Sequence, residues 1–159
     1  MSNIFKVILC IVVLMQVSVL GAQNLNESKL ERNVPLIVLE IFDQKFPSQD
    51  PVWFSRYQGR FNEKLVFEGK FIFDNRYSIV VYDINGNLLA FAATIDNKEI
   101  PDNAIKYMTE NYPSFPIVEA LLVTRGKEEV TYEIGIYIDN QFVIQVFTKT
   151  GDFIKSTKA

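Results

Sequence analysis

The chain has 159 residues, 48% of them hydrophobic and 13 of them phenylalanine, enough to build the core of one domain. Its net charge is −3, from 16 Lys+Arg against 19 Asp+Glu, with no basic run; this argues against nucleic acid as a partner. It has no histidine and one cysteine, Cys10, so Ser-His-Asp and Cys-His nucleophiles and the usual zinc sites are out of reach.

The first 22 residues read as a signal peptide. Lys6 is their only charge, Val7 to Met15 is continuously apolar, and "QVSVLGA" supplies a small-residue cleavage site. The expected cut follows Ala22, with Gly21 as the alternative. The apolar run is shorter than the roughly 20 residues that span a bilayer, so no stable membrane insertion is expected after cleavage. Cys10 lies inside that run, which argues against a lipoprotein and leaves the exported chain without disulfides, held by its core alone. The expected localisation is periplasmic or secreted. Residues 23–33, "QNLNESKLERN", form a polar leader without periodicity. Asn26-Glu27-Ser28 is formally a glycosylation sequon that chance also explains.

"VPLIVLEIFDQKFP" (34–47) follows. Pro35 suits the first helical position, Val38, Ile41, Phe42 and Phe46 recur at helical spacing, and Pro47 ends the helix. Strands are expected at 52–58 and at 64–73. The second alternates, with Leu65, Phe67, Phe71 and Phe73 on one face and Lys64, Glu68 and Lys70 on the other. "DNR" turns the chain into a strand at 77–84. Asn85-Gly86 reads as a hairpin turn into a strand at 87–95.

After a short linker, "TIDNKEIPDN" (94–103), the chain repeats itself. "IPDNAIKYMTENYP" (100–113) starts and ends like the first helix, 66 positions on, with Ala104, Ile105, Met108 and Tyr112 on one face. Strands are expected at 115–123, 130–138, 142–148 and 153–157. At an offset of 65 Phe67 matches Tyr132, Glu68 matches Glu133, Phe71 matches Ile136, Tyr77 matches Phe142 and Tyr82 matches Phe147. The expected fold class is therefore α+β: two tandem repeats, 34–95 and 96–159, each one helix plus a four-stranded antiparallel meander. The helices pack on one face of the sheet. The copies either share a core or join edges into a larger curved sheet, as one compact unit.

The pattern resembles the PepSY-like, β-lactamase-inhibitor-protein-like (BLIP-like) family of exported bacterial proteins. The residues that carry the resemblance are the Pro-led helix ending in Phe46-Pro47 or Tyr112-Pro113, then Trp53, then Phe67-Glu68 and Tyr132-Glu133. They end with the "YDINGNLL" hairpin (Tyr82 to Leu89) and its echo "FTKTGDFI" (Phe147 to Ile154). The second copy departs from the pattern, with Glu119 at the position matched to Trp53 and Thr148 where Asp83 stands. The resemblance implies an envelope protein with a binding or inhibitory role rather than catalysis.

The residues themselves offer little chemistry. Glu68 and Glu133 invite a paired-carboxylate hydrolase, but solvated strand positions explain them equally. "DINGN" (Asp83 to Asn87) has a passing likeness to a calcium loop, but Gly86 is out of place and the bidentate glutamate the loop needs is lacking. No cofactor and no enzymatic activity are expected. Alternation is read as turning Leu65, Phe67, Phe71, Ile79, Val81, Tyr132, Ile134, Ile136, Ile144 and Val146 toward the helices. The other face then carries Glu68, Lys70, Ile72, Val80, Tyr82, Glu133, Tyr137, Gln145 and Phe147. Rings among charges suit a protein-binding patch, extended by Trp53, Phe54 or Tyr57, whose facing alternation leaves open. The candidate partner-binding residues are Trp53, Tyr57, Glu68, Lys70, Tyr82, Glu133, Tyr137 and Phe147, and the expected partner is another envelope or secreted protein. The alternative is a small apolar ligand or peptide in the groove between sheet and helices.

Overall fold

The structure, a computed structural model, describes residues 34–59, 63–126 and 129–158; residues 1–22 and 23–33, where a signal peptide and a polar leader are expected, lie outside them. The described elements are α1 (Leu36–Lys45), β1 (Val52–Gln58), β2 (Lys64–Phe73), β3 (Arg76–Asp83) and β4 (Leu88–Thr94). A 3-10 turn (Asn97–Glu99) follows, then α2 (Asp102–Asn111), β5 (Glu119–Arg125), β6 (Glu129–Ile138), β7 (Gln141–Thr148) and β8 (Phe153–Lys158). The fold is α+β, with an open eight-stranded sheet in sequence order and every neighbouring pair antiparallel. The two meanders join through β4 and β5, where Ala90–Thr94 pairs with Leu121–Arg125.

Each helix starts and stops on proline chemistry. Pro35 and Pro101 are N-caps with ψ near 140°, not first helical residues. Their carbonyls accept the first helical bonds, from Val38 N at 2.9 Å and Ala104 N at 2.9 Å. Phe46 and Tyr112 leave the helical region because a proline follows each of them. Helices this short need a surface to pack on. α1 seals Val38, Phe42 and Phe46 over Trp53, Phe67, Phe71, Val80 and Tyr82. α2 seals Ala104 and Met108 over Ala120, Ile134, Ile136 and Phe147.

The strand facing departs from the sequence expectation in β3 and β7. Residues directly opposite in a ladder share a face. Phe67 pairs with Tyr82 and Gly69 with Val80, while Tyr132 pairs with Phe147 and Ile134 with Gln145. Val80, Tyr82, Gln145 and Phe147 therefore face the helices, and Ile79, Val81, Ile144 and Val146 face away. The cause is turn length. Asp74-Asn75 and Asp139-Asn140 are two-residue turns with positive φ at both positions, as type I′ geometry requires. Phe73 then pairs with Arg76; counting Arg76 into the turn shifts the register by one and flips every side chain. β2 and β6 face as expected.

The Asn85-Gly86 turn also differs in detail. Only Gly86 has positive φ. The loop spans 84–87, closed by Gly86 N to Asp83 O at 3.1 Å and Asp83 N to Asn87 O at 3.0 Å. A Cβ on Gly86 would stand 2.6 Å from Ile41 Cδ1, so the turn lies against α1.

Candidate functional site

The face turned away from the helices is the candidate site. Its residues follow from β2 outward: Glu68 and Lys70 stand there by alternation, and register adds Phe54 opposite Glu68 and Val52 opposite Lys70. Arg56 Nη2 lies 3.0 Å from Glu68 Oε2, and Lys70 Nζ lies 3.1 Å from Glu68 Oε1. Lys70 also sits 5.0 Å from the centre of the Phe54 ring, within cation–π range. The bond to Glu68 raises the Lys70 ammonium above its ordinary pKa. Ile72 and Tyr77 pair beside this cluster, both exposed.

Four strands away the same face carries a second ion-paired glutamate. Arg125 bonds Glu133 and donates to Thr131 Oγ1 at 2.9 Å. Between the two clusters Ala92, Leu121 and Val123 pack with Ile79 in a small apolar patch. Beyond Glu133 lie Tyr137 and Phe142, with ring centres 5.3 Å apart. Glu68 and Glu133 are separated by four strand spacings, about 19 Å at roughly 4.8 Å each. Paired-carboxylate hydrolysis needs about 5–9.5 Å, so the two cannot work on one bond. Among the described residues no three His, Cys, Asp or Glu side chains gather as a metal site.

Of the residues singled out from sequence, Glu68, Lys70, Glu133 and Tyr137 stand on this face. Trp53, Tyr82 and Phe147 do not. Trp53 is 6% exposed and the other two 0%, because each points under a helix. Tyr57 is 62% exposed, but its pairing with Leu65 puts it on the helix side of the edge strand. The sequence reading left the facing of Phe54 open and missed Arg56, and it missed Arg125 as a member of the face. The signal for the first two was Gly69: a Cβ there would stand 2.9 Å from Trp53 Cζ3, so the glycine is the seat of the indole. That fixes Trp53 inward and Phe54 and Arg56 outward. Nothing comparable marks Arg125.

No protein-family model matches the chain and no curated protein matches it in sequence. Solved structures do match. A protein provisionally described as periplasmic from Bacteroides eggerthii DSM 20697 is similar with a TM-score of 0.66 at 11% identity, over 79% of this chain and 88% of that one. A DUF2874 family protein from Bacteroides uniformis ATCC 8492 gives 0.65 at 15% identity, over 79% and 89%. A BLIP-like protein from Bacteroides fragilis NCTC 9343 gives 0.58 at 12% identity, over 79% and 86%. The chain thus has the fold of BLIP-like and DUF2874 proteins. Among the described residues no helix is long and apolar enough to cross a membrane.

Proposed function

We propose that this chain is an exported, non-catalytic binding protein that engages another envelope or secreted protein through the helix-free sheet face. In this reading it is built from two PepSY-like modules, residues 34–95 and 96–159. The observation that carries the proposal is the make-up of that face. Exposed Val52, Phe54, Ile72, Tyr77 and Tyr137 stand beside the Arg56–Glu68–Lys70 and Arg125–Glu133 ion pairs. No described helix packs over them. Large rings at the centre of a polar rim supply most of the energy of protein interfaces. The signal pattern of residues 1–22 supports export, as does the periplasmic description of one structural neighbour. The BLIP-like neighbour makes inhibition of the partner one form the binding can take.

The test is capture of partners from the host envelope, with Phe54→Ser/Tyr137→Ser as the surface variant. The variant should lose capture while its melting temperature stays within a few degrees of the parent. Undiminished capture by the folded variant would remove this face from consideration. A Tyr82/Phe147 variant is no substitute, since it empties both cores.

A second reading is favoured by one observation. A groove of about 330 Å³ between the end of α1 and β4 is lined by Phe46, Phe73, Leu88 and Phe91, with Lys45 at its rim. That is the lower end of small-ligand pockets, and an apolar ligand there would raise the melting temperature with its concentration. Titrating fatty acids against thermal stability separates the two readings.

A further inference from the structure

We infer that a cleft at the C-terminal corner of the helix-free face binds a cation of one chemical kind: a guanidinium or ammonium group on an aliphatic stem. The inference stands independently of the function proposed above. Four glutamates are half-buried among the described residues: Glu68, Glu99, Glu119 and Glu133. Three of them hold an arginine, namely Arg56 on Glu68 at 3.0 Å, Arg76 on Glu99 at 2.9 Å and Arg125 on Glu133. Glu119 holds none, and among the described residues no hydrogen bond or ion pair reaches its side chain. The other three are met by the chain's own arginines; among the described residues Glu119 has no such partner, and its charge is open to a cation supplied from outside.

The surroundings say what shape of cation fits. Glu119 lines an open cleft of about 550 Å³ together with Thr94, Asn97, Tyr137 and Phe142. Glu119 pairs with Gly135 in the β5–β6 ladder. Phe142 lies so closely over Gly135 that a Cβ there would collide with the ring. The glycine thus admits a ring beside the carboxylate. Tyr137 is tilted 57° against Phe142, which gives the cleft a two-ring wall. Rings attract a desolvated cation through their faces, and the carboxylate supplies the opposite charge. An aliphatic stem suits the apolar wall. The chain's nearby cations are engaged elsewhere. Lys98 pairs with Asp96 at 3.4 Å, and Arg76 bonds Glu99 and the Thr94 carbonyl from the helix side of the sheet.

The matching corner of the other half serves as an internal control. By ladder register Val52, Lys70, Ile72 and Tyr77 stand where Glu119, Gly135, Tyr137 and Phe142 stand. There the fold position carries its own ammonium, held by Glu68. A cationic ligand has nothing to bind at that corner.

The cation has two possible sources, a free solute or the arginine or lysine side chain of a peptide, and the experiment separates them. The purified protein is titrated, at low and at physiological salt, with N-acetyl-arginine-methylamide, with its neutral isostere N-acetyl-citrulline-methylamide, with spermidine, and with the tripeptide Gly-Arg-Gly capped at both ends. Amide shifts are followed by two-dimensional NMR. The expected result is saturable shifts confined to the neighbourhood of Glu119, Gly135, Tyr137 and Phe142, at least tenfold weaker with citrulline. Glu119→Gln should weaken arginine binding at least tenfold, and Tyr137→Leu severalfold. A tripeptide that binds much tighter than the single residue assigns the site to a partner's side chain; equal or tighter binding of the free derivative or spermidine assigns it to a solute. Equal shifts from arginine and citrulline, shifts at the Val52 corner instead, or unchanged affinity in folded Glu119→Gln would overturn the inference. The citrulline comparison needs no variant, so it decides even where a substitution disturbs the fold.

Discussion

Under α1, Trp53 stands opposite Gly69 in the β1–β2 ladder; under α2 the matching pair is Ala120 opposite Ile134. Each pair has one large and one small residue, in reversed order. The indole occupies the space that a side chain at 69 would need, and Val80 closes the same space from the next strand. The helices follow suit. Val38 and Phe42 press on the first core, Ala104 and Met108 on the second. In the first core Phe42 has ring neighbours Phe46, Trp53 and Phe71 at 5.0–5.3 Å. In the second the best ring stack, Tyr107 on Phe153 at 4.5 Å, lies between the helix and the last strand. What recurs between the halves is one large residue facing one small one across the ladder. Cores tolerate such exchange when the hydrophobic pattern and approximate size are kept.

The sharpest break of the comparison is at Trp53. Trp53→Ala should cost about 3–5 kcal/mol, the range for emptying a buried aromatic site. Gly69→Ile alone should also destabilise, by about 1–3 kcal/mol of overpacking. The double variant copies the second half and should cost clearly less than the sum, with a coupling of at least about 1 kcal/mol. Urea denaturation of the four proteins measures it. Additive losses would mean that the two halves do not solve one packing problem in two ways.

A milder contrast lies one strand over, where Tyr82 matches Phe147. The Tyr82 hydroxyl is buried with no hydrogen-bond partner, and burial pushes its pKa up to about 12. Removing an unsatisfied buried hydroxyl is favourable, so Tyr82→Phe should stabilise by about 1 kcal/mol. The alkaline limb gives an independent check. Between pH 10 and about 12 an unfolded tyrosine has lost its proton while Tyr82 keeps it, so the unfolded state is favoured as pH rises. The parent should lose stability in that window, and the variant should lose less. Absorbance titration should also show a late-ionising tyrosine that is missing from Tyr82→Phe. Gln145, which matches Val80, has a smaller effect in the same direction. Its Nε2 donates to Ser156 Oγ at 3.1 Å but its Oε1 has no partner. Gln145→Val should therefore gain up to about 1 kcal/mol in the same denaturation assay.

Much of this architecture was legible before the structure. β1 and β2 match their expected spans, since Lys64–Phe73 keeps its charges, Lys64, Glu68 and Lys70, on one face, and both helices are bracketed by prolines. β3 was located but turned over. Its two faces, Tyr77/Ile79/Val81 and Ser78/Val80/Tyr82, are about equally apolar, so alternation cannot choose between them. Only the length of the Asp74-Asn75 turn decides, and one residue of error there inverts the strand. The same happened at Asp139-Asn140. This is why Tyr82 and Phe147 were read as surface residues while Glu68 and Lys70, whose strand has one polar face, were placed correctly. The site suffered most where it depended on pairing. Phe54, Arg56 and Arg125 join the face through partners on neighbouring strands, and sequence shows such partners only once register is known. The match of Glu119 to Trp53 fails for the same reason, since the ladders place Ala120 there and Glu119 at the Val52 position.

The smallest expected effect tests whether reciprocal exchange extends from the core to the turns. Asp83 Oδ1 accepts from Asn85 N and Asn87 N, both at 2.9 Å, and Asp83 Oδ2 accepts from Asn87 Nδ2 at 2.8 Å. In the second half Thr148 Oγ1 accepts from Thr150 N at 3.3 Å and Asp152 N at 3.0 Å, and its hydroxyl lies 3.3 Å from Asp152 Oδ2. The carboxylate has changed ends: Asp83–Asn87 in one turn, Thr148–Asp152 in the other. Asp83→Thr/Asn87→Asp should therefore be nearly neutral at pH 7, within about 0.5 kcal/mol for an exposed turn. Asp83→Ala, which leaves two amides uncapped, should cost about 1 kcal/mol. The acid limb separates the two further. The Asn87 side chain, followed by the turn amides, holds the Asp83 carboxyl below its ordinary value of 3.8. Its contribution is therefore full above that value and fades as pH falls through the lower folded one. The deficit of Asp83→Ala against the parent should shrink as pH falls below about 4. A deficit that stays constant into acid would mean that the turn is held by backbone geometry and that the carboxylate adds nothing to it.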